Sequence, residues 1–65
     1  GLVGEVGRAL SALAPTGKVV VHGEYWDARS TGADVPAGAD VRVVAIDGRR
    51  ITVAPVTASS DTEGS

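Results

Sequence analysis

Three polar side chains near the middle of the chain, His22, Glu24 and Asp27, form the cluster most suggestive of a reactive site. A histidine with two carboxylates can bind a metal ion or act as an acid–base pair. On a regular strand His22 and Glu24 share a face and Asp27 points away, and Gly23 disturbs even that geometry. The chain has no cysteine, so thiolate zinc sites are excluded. We interpret the three as surface or structural residues and predict no metal ligand.

Motifs for a catalytic nucleophile or a phosphate loop are absent from the sequence. No serine lies in the Gly-x-Ser-x-Gly turn that exposes a nucleophile. Gly17-Lys18 is followed by Val19, where a phosphate loop needs serine or threonine, and the upstream glycine is missing. A chain this short is also too small to enclose a water-excluding pocket. The sequence therefore predicts no enzyme, no catalytic residue and no cofactor-binding residue.

The two aromatic residues, Tyr25 and Trp26, raise the alternative of nucleic-acid binding. Proteins that bind single strands stack bases on aromatic side chains inside a basic groove. Adjacent residues on a strand face opposite ways, so these two do not form one stacking platform. The formal net charge is −2, which opposes a nucleic-acid partner. We expect Trp26 in the core and Tyr25 on the surface, and nucleic-acid binding remains the second hypothesis.

The composition indicates short strands joined by tight turns. The 65 residues allow one domain, and eleven of them are valines, whose branched side chains suit a pleated sheet. Nine glycines and three prolines interrupt the chain often. No apolar run is long enough to span a membrane.

Four strands are predicted from the alternation of apolar and polar residues, at 18–22, 24–30, 41–46 and 49–55. Asp47-Gly48 predicts the hairpin between the last two. Val35 is expected to close one end of the sheet as a plug. The predicted core is Val6, Val19, Val21, Trp26, Ala28, Val41, Val43, Ile46, Ile51 and Val53.

Residues 1–14 are ambiguous on pattern alone. Their apolar residues recur at spacings of three and four, as on one face of an amphipathic helix, at Val3, Val6, Leu10 and Leu13. Gly4 and Gly7 oppose a helix, because each costs about 1 kcal/mol relative to alanine. A fifth strand here would allow the sheet to close into a barrel and hide its edges.

The spacing of glycines, the Pro-Gly turn and the strand residues resembles the C-terminal soluble domain of the NfeD family over about residues 3 to 55. The series runs Gly4-x-x-Gly7-x-Ala9, then Leu13-x-Pro15-x-Gly17-Lys18-Val19, then Gly23-Glu24-x-Trp26-x-Ala28, then Gly38-x-x-Val41-x-Val43-Val44, and ends with Gly48-x-x-Ile51-x-Val53. The resemblance implies an all-β fold, a small five-stranded OB-type barrel with its first strand over residues 4–14. We place the domain at residues 1–55. Residues 56–65 are dominated by serine, threonine, acidic residues and glycine without periodicity, and we predict that they form a flexible polar C-terminal tail.

The family resemblance also implies a function. In that family the domain usually follows transmembrane helices and is associated with stomatin- and flotillin-like membrane scaffold proteins. The chain contains no methionine, even at its start, so we expect a piece of a longer protein. The implied role is a non-catalytic, protein-interaction domain with stomatin/flotillin-like partners. It would be membrane-associated only through segments absent from this chain, and itself soluble and cytoplasmic.

Overall fold

A computed structural model describes residues 1–56 of the protein, and these residues form five strands and no helix. The strands are β1 (Val6–Ala9), β2 (Thr16–Val21), β3 (Glu24–Ser30), β4 (Asp40–Asp47) and β5 (Arg50–Pro55). The predicted tail covers residues 56–65, and residues 57–65 lie outside the described residues. Across residues 1–56, no helix long and apolar enough to cross a membrane is found.

The strands close into a barrel in the order β1-β2-β3-β5-β4, with β4 pairing back to β1. The β3–β5 pair is parallel, and the other pairs are antiparallel. This is the five-stranded OB-type barrel that the resemblance implied. Because the barrel is closed, each strand has a neighbour on both sides, and none of the five is an edge strand along its whole length.

The barrel interior is aliphatic. Seven of the predicted core residues are buried: Val19, Val21, Ala28, Val41, Val43, Ile51 and Val53. Ala9, Leu13 and Val35 join them in the same cluster. Val35 is 1% exposed and its backbone exchanges two hydrogen bonds with Leu13, of 2.8 and 3.0 Å. Val35 therefore packs in the interior as the predicted plug.

The N-terminal segment is a strand, and the helical periodicity there is misleading. The strand Val6–Ala9 is shorter than the predicted 4–14. A Cβ atom at Gly7 would lie 2.4 Å from the Val20 carbonyl oxygen and 2.7 Å from Val21 Cγ2. Glycine is required at this position because β2 approaches too closely for any side chain.

The prediction of a core position is wrong for two residues, Val6 and Ile46. Val6 is 45% exposed because the register pairs it with Arg42 on the outside, and Gly7 takes the inward position beside Val41. Ile46 is 48% exposed although it pairs with the buried Ile51. It follows the irregularity between Val43 and Ala45, beyond which every β4 residue is exposed.

The two hairpins turn at positive-φ residues. His22 and Gly23 have φ of 53° and 77°, as the two-residue turn between β2 and β3 requires, so the predicted bend at Gly23 is a hairpin turn. The second turn lies one residue later than predicted. Asp47 still pairs with Arg50, and Gly48, with φ of 62°, begins the two-residue loop.

Candidate functional site

The cluster suggested by the sequence is not assembled in the structure. His22 Nε2 lies 2.9 Å from Glu5 Oε1, a partner from before β1. Asp27 Oδ1 lies 2.5 Å from Lys18 Nζ on the neighbouring strand. Within residues 1–56 there is no group of three His, Cys, Asp or Glu side chains able to hold a metal ion. His22 and Asp27 therefore take part in separate pairs with other residues.

A shallow groove crosses the outer surface of β2, β3 and β5. It consists of two adjoining depressions of about 340 and about 290 Å³, which share Lys18 and Asp27. The larger is lined by Lys18, Glu24, Tyr25, Trp26, Asp27 and Arg49. The smaller extends past Thr16 and Arg50. We call the charged and aromatic residues of this groove the groove face, and we include Arg29, the register partner of the lining residue Thr16.

The strand register positions the middle of the groove face. Asp27 on β3 pairs with Lys18 on β2 and with Arg50 on β5, so the carboxylate lies between two cations from distant parts of the chain. The Lys18 ammonium donates a hydrogen bond to Asp27 and, with its charge, lowers the pKa of that carboxyl, and the Arg50 charge lowers it further. Asp27 is therefore ionised at neutral pH and neutralises Lys18.

Three arginines on the groove face differ from the other two in the chain. Arg8 lies 3.8 Å from Asp40, and Arg42 donates to the Gly4 carbonyl oxygen at 3.2 Å. For Arg29, Arg49 and Arg50 no ion pair within 4 Å and no side-chain hydrogen bond is found among residues 1–56. Three guanidinium groups are thus presented to solvent on one side of the barrel.

Both aromatic side chains line the larger depression. Tyr25 is 76% exposed, as predicted. Trp26 is half-buried and packs against the core without being part of it, so the prediction of a core tryptophan holds only in part. Its Nε1 is buried and finds no acceptor in the described part of the chain. Tyr25 and Trp26 therefore line the same depression, although adjacent side chains alternate along β3.

The opposite side of the barrel, over β1 and β4, is different. Three of the exposed side chains there are aliphatic, Val3 at 57%, Val6 at 45% and Val44 at 43%. Arg42 lies among them as the register partner of Val6. We call these four residues the β1–β4 face.

The structure is thus a closed OB-type barrel with an open, charged groove, and comparisons with known proteins give the family. The family model described as NfeD-like C-terminal, partner-binding domain matches residues 1–55. The chain belongs to the NfeD family, and the resemblance noted in the sequence is confirmed. A search of curated proteins finds no significant match.

Two solved structures support the same assignment. The C-terminal domain of a stomatin operon partner protein from Pyrococcus horikoshii is 36% identical, with a TM-score of 0.81 over 85% of this chain and 88% of that one. The soluble domain of a membrane protein implicated in regulation of membrane protease activity, from Corynebacterium glutamicum, is 33% identical, with a TM-score of 0.75 over 80% and 87%. The protein is thus a partner-binding domain of the NfeD-like type.

Proposed function

We propose that this domain acts with stomatin/flotillin-like membrane scaffold proteins, as a non-catalytic interaction module of a membrane-anchored NfeD-like protein. The observation that carries the proposal is the match of residues 1–55 to a partner-binding family. The Pyrococcus horikoshii neighbour, at 36% identity, is named as a stomatin operon partner, which supports the class of partner.

The geometry of the polar residues favours binding over catalysis. The larger depression is an open part of the outer surface, lined by exposed side chains such as Tyr25 and Asp27. Catalysis of the usual kinds needs a base held against a nucleophile, in a site that excludes water. His22 instead contacts Glu5, with a side chain that is 62% exposed. We therefore assign the domain no catalytic, cofactor-binding or metal-binding residue.

We infer the location from the same relatives. The Corynebacterium glutamicum neighbour is described as the soluble domain of a membrane protein. By analogy, the domain at residues 1–55 would be held near the membrane by other parts of its parent. We propose the cytoplasmic side, with which the absence of cysteine is compatible.

Isothermal titration calorimetry with purified soluble domains of a stomatin-like and a flotillin-like protein tests the proposal. We expect saturable binding to at least one of them, and none to serum albumin as an unrelated control. If neither scaffold domain binds under conditions where both proteins are folded, the proposed partner class is wrong.

Nucleic-acid binding is the second candidate, because an exposed arginine beside aromatic side chains, as Arg49 is beside Tyr25 and Trp26, is a feature of single-strand binders. The net charge of −2 opposes it, and Tyr25 is the one exposed aromatic side chain of the two in the sequence, which is too few for successive bases to stack. Titration with a single-stranded oligonucleotide at two salt concentrations distinguishes the two, because phosphate contacts weaken steeply as salt rises.

A further inference from the structure

We propose that the groove face binds an acidic segment of the partner protein, with an apolar side chain of that segment seated against Tyr25 and Trp26. This inference rests on the proposed function in that the ligand is a protein. It goes further by naming the surface and the chemistry of what that surface recognises.

The first support is the distribution of charge. The chain is acidic overall, with six basic and eight acidic residues. Four of the six basic residues nevertheless belong to the groove face: Lys18, Arg29, Arg49 and Arg50. Three acidic residues accompany them: Glu24 and Asp27 in the groove, and Asp47, the register partner of Arg50.

The second support is which of these charges are already satisfied. Lys18 and Asp27 pair with each other at 2.5 Å and cancel. The three arginines remain, and none is within 4 Å of a carboxylate in the described residues. A guanidinium group binds a carboxylate through two parallel hydrogen bonds, which makes arginine well suited to Asp and Glu side chains of a partner.

The third support is the kind of side chain that accompanies the arginines. Tyrosine, tryptophan and arginine are the residues that most often dominate the binding energy of protein interfaces. Here all three types border one depression of about 340 Å³, in which Tyr25 is 76% exposed. Its aromatic walls offer a place for one apolar side chain between charged neighbours.

The closed barrel limits how a peptide can be recognised. A common mode of peptide binding adds a strand to a free sheet edge. Each strand of this barrel has a neighbour on both sides, and the stretch of β3 at the groove that is paired on one side alone is three residues long, Glu24–Trp26. So short a stretch gives few main-chain hydrogen bonds. Recognition on the groove face therefore relies mainly on side chains, and the sequence of the bound segment, acidic around one apolar residue, determines affinity.

Fluorescence of the single tryptophan, Trp26, provides a direct assay with model peptides. The probe is a short acetylated and amidated peptide in which glutamates flank one leucine. We compare it with the same peptide carrying glutamine in place of glutamate, and with one carrying alanine in place of leucine. We expect a saturable change for the acidic peptide, and a roughly tenfold weaker Kd for each altered peptide. Equal responses to all three, or no response to any, would overturn the proposal.

A matched pair of charge-reversal variants locates the site. Arg49→Glu changes the groove face, and Arg42→Glu makes the same change of net charge on the β1–β4 face. We expect Arg49→Glu to weaken binding of the acidic peptide by at least roughly tenfold, and Arg42→Glu to leave it within about twofold. Circular dichroism of both variants is the control for folding. Equal effects of the two would show a general charge effect and overturn the assignment of the site.

The same two variants, titrated with the scaffold domain that binds the wild type, separate this inference from the proposed function. Binding lost in Arg49→Glu alone supports both. Binding unaffected by Arg49→Glu overturns the groove face and leaves the proposed partner standing. If no scaffold domain binds the wild type, the proposed function fails, and the peptide assay alone decides the inference. Binding of a single-stranded oligonucleotide at the groove face, without binding of the acidic peptide, would overturn both.

Discussion

The interior of the barrel and its groove face are built from neighbouring residues with opposite chemistry. On β3, Ala28 is 1% exposed and belongs to the aliphatic core, while Asp27 beside it pairs with Lys18 on the outside. The interior contains ten buried apolar residues and, as its one buried polar residue in the described chain, Ser30, which donates to the Ala33 carbonyl oxygen at 3.1 Å. The groove face carries charge and aromatic rings.

This difference separates what makes the fold from what chooses the partner. Substitutions inside should change stability and leave the binding chemistry intact in molecules that still fold. Substitutions on the groove face should do the reverse, because exposed side chains contribute little to stability.

The largest effect is expected at Gly7, where the interior has no room. We predict that Gly7→Val costs at least about 3 kcal/mol in the free energy of unfolding, because its side chain would overlap the Val20 carbonyl oxygen and Val21. Urea unfolding followed by Trp26 fluorescence measures the loss. Gly1→Val is the control, since nothing lies within 4 Å of a Cβ there. A Gly7→Val variant as stable as this control would contradict the packing described for β1.

The next effect is expected from Leu13, which is fully buried. Leu13→Ala should lower the free energy of unfolding by about 2–5 kcal/mol, through lost burial and the cavity left under Val35. Leu10→Ala removes the same atoms from a side chain that is 46% exposed, so it should cost less than about 1 kcal/mol. Thermal and urea unfolding of both variants measure the contrast. Equal costs would mean that Leu13 is not an interior residue.

The smallest effect is expected from the Lys18–Asp27 pair on the groove face. The pKa of Asp27 in the folded protein is lowered from its usual value of 3.8, chiefly by the hydrogen bond from Lys18. The stabilisation by the pair is therefore fully present above pH 3.8. It is lost as the pH falls through the lower folded pKa. The melting temperature of the wild type should therefore exceed that of Asp27→Asn by a small, constant amount near neutral pH. The gap should close in acid and shrink at high salt, because both side chains are more than half exposed. A gap that widens as the pH falls would contradict the pairing.

Much of the barrel could be predicted from sequence because its signals are local. The four strands β2 to β5 begin and end within two residues of their predicted positions, since alternation and glycine turns are read within a few residues. The first strand could not be found in this way. Glycine is needed at position 7 because β2 approaches β1 closely there. That contact joins Gly7 to Val20 and Val21, which are distant in the sequence.

The same limit explains the errors and the missed surface. The outward position of Val6 depends on its register with Arg42, which lies 36 residues further along the chain. The groove face depends on Lys18, Asp27 and Arg50 coming into register on three strands. In the sequence Arg29 lies far from Arg49 and Arg50, and no local pattern indicates that they share one side of the barrel. The signal that could have revealed the groove was the outward alternation of Tyr25, Asp27 and Arg29 on one strand, combined with a barrel strand order.

The central claim, that partner binding occurs on the groove face, is tested most directly by nuclear magnetic resonance of the ¹⁵N-labelled domain titrated with a stomatin/flotillin-like scaffold domain. We predict that the backbone amides of residues 24–29, 49 and 50 and the Trp26 indole Nε1–H shift with increasing partner, while those of Val6 and Val44 stay in place. Shifts confined to Val3, Val6, Arg42 and Val44 would show that the partner binds the β1–β4 face and would contradict the account.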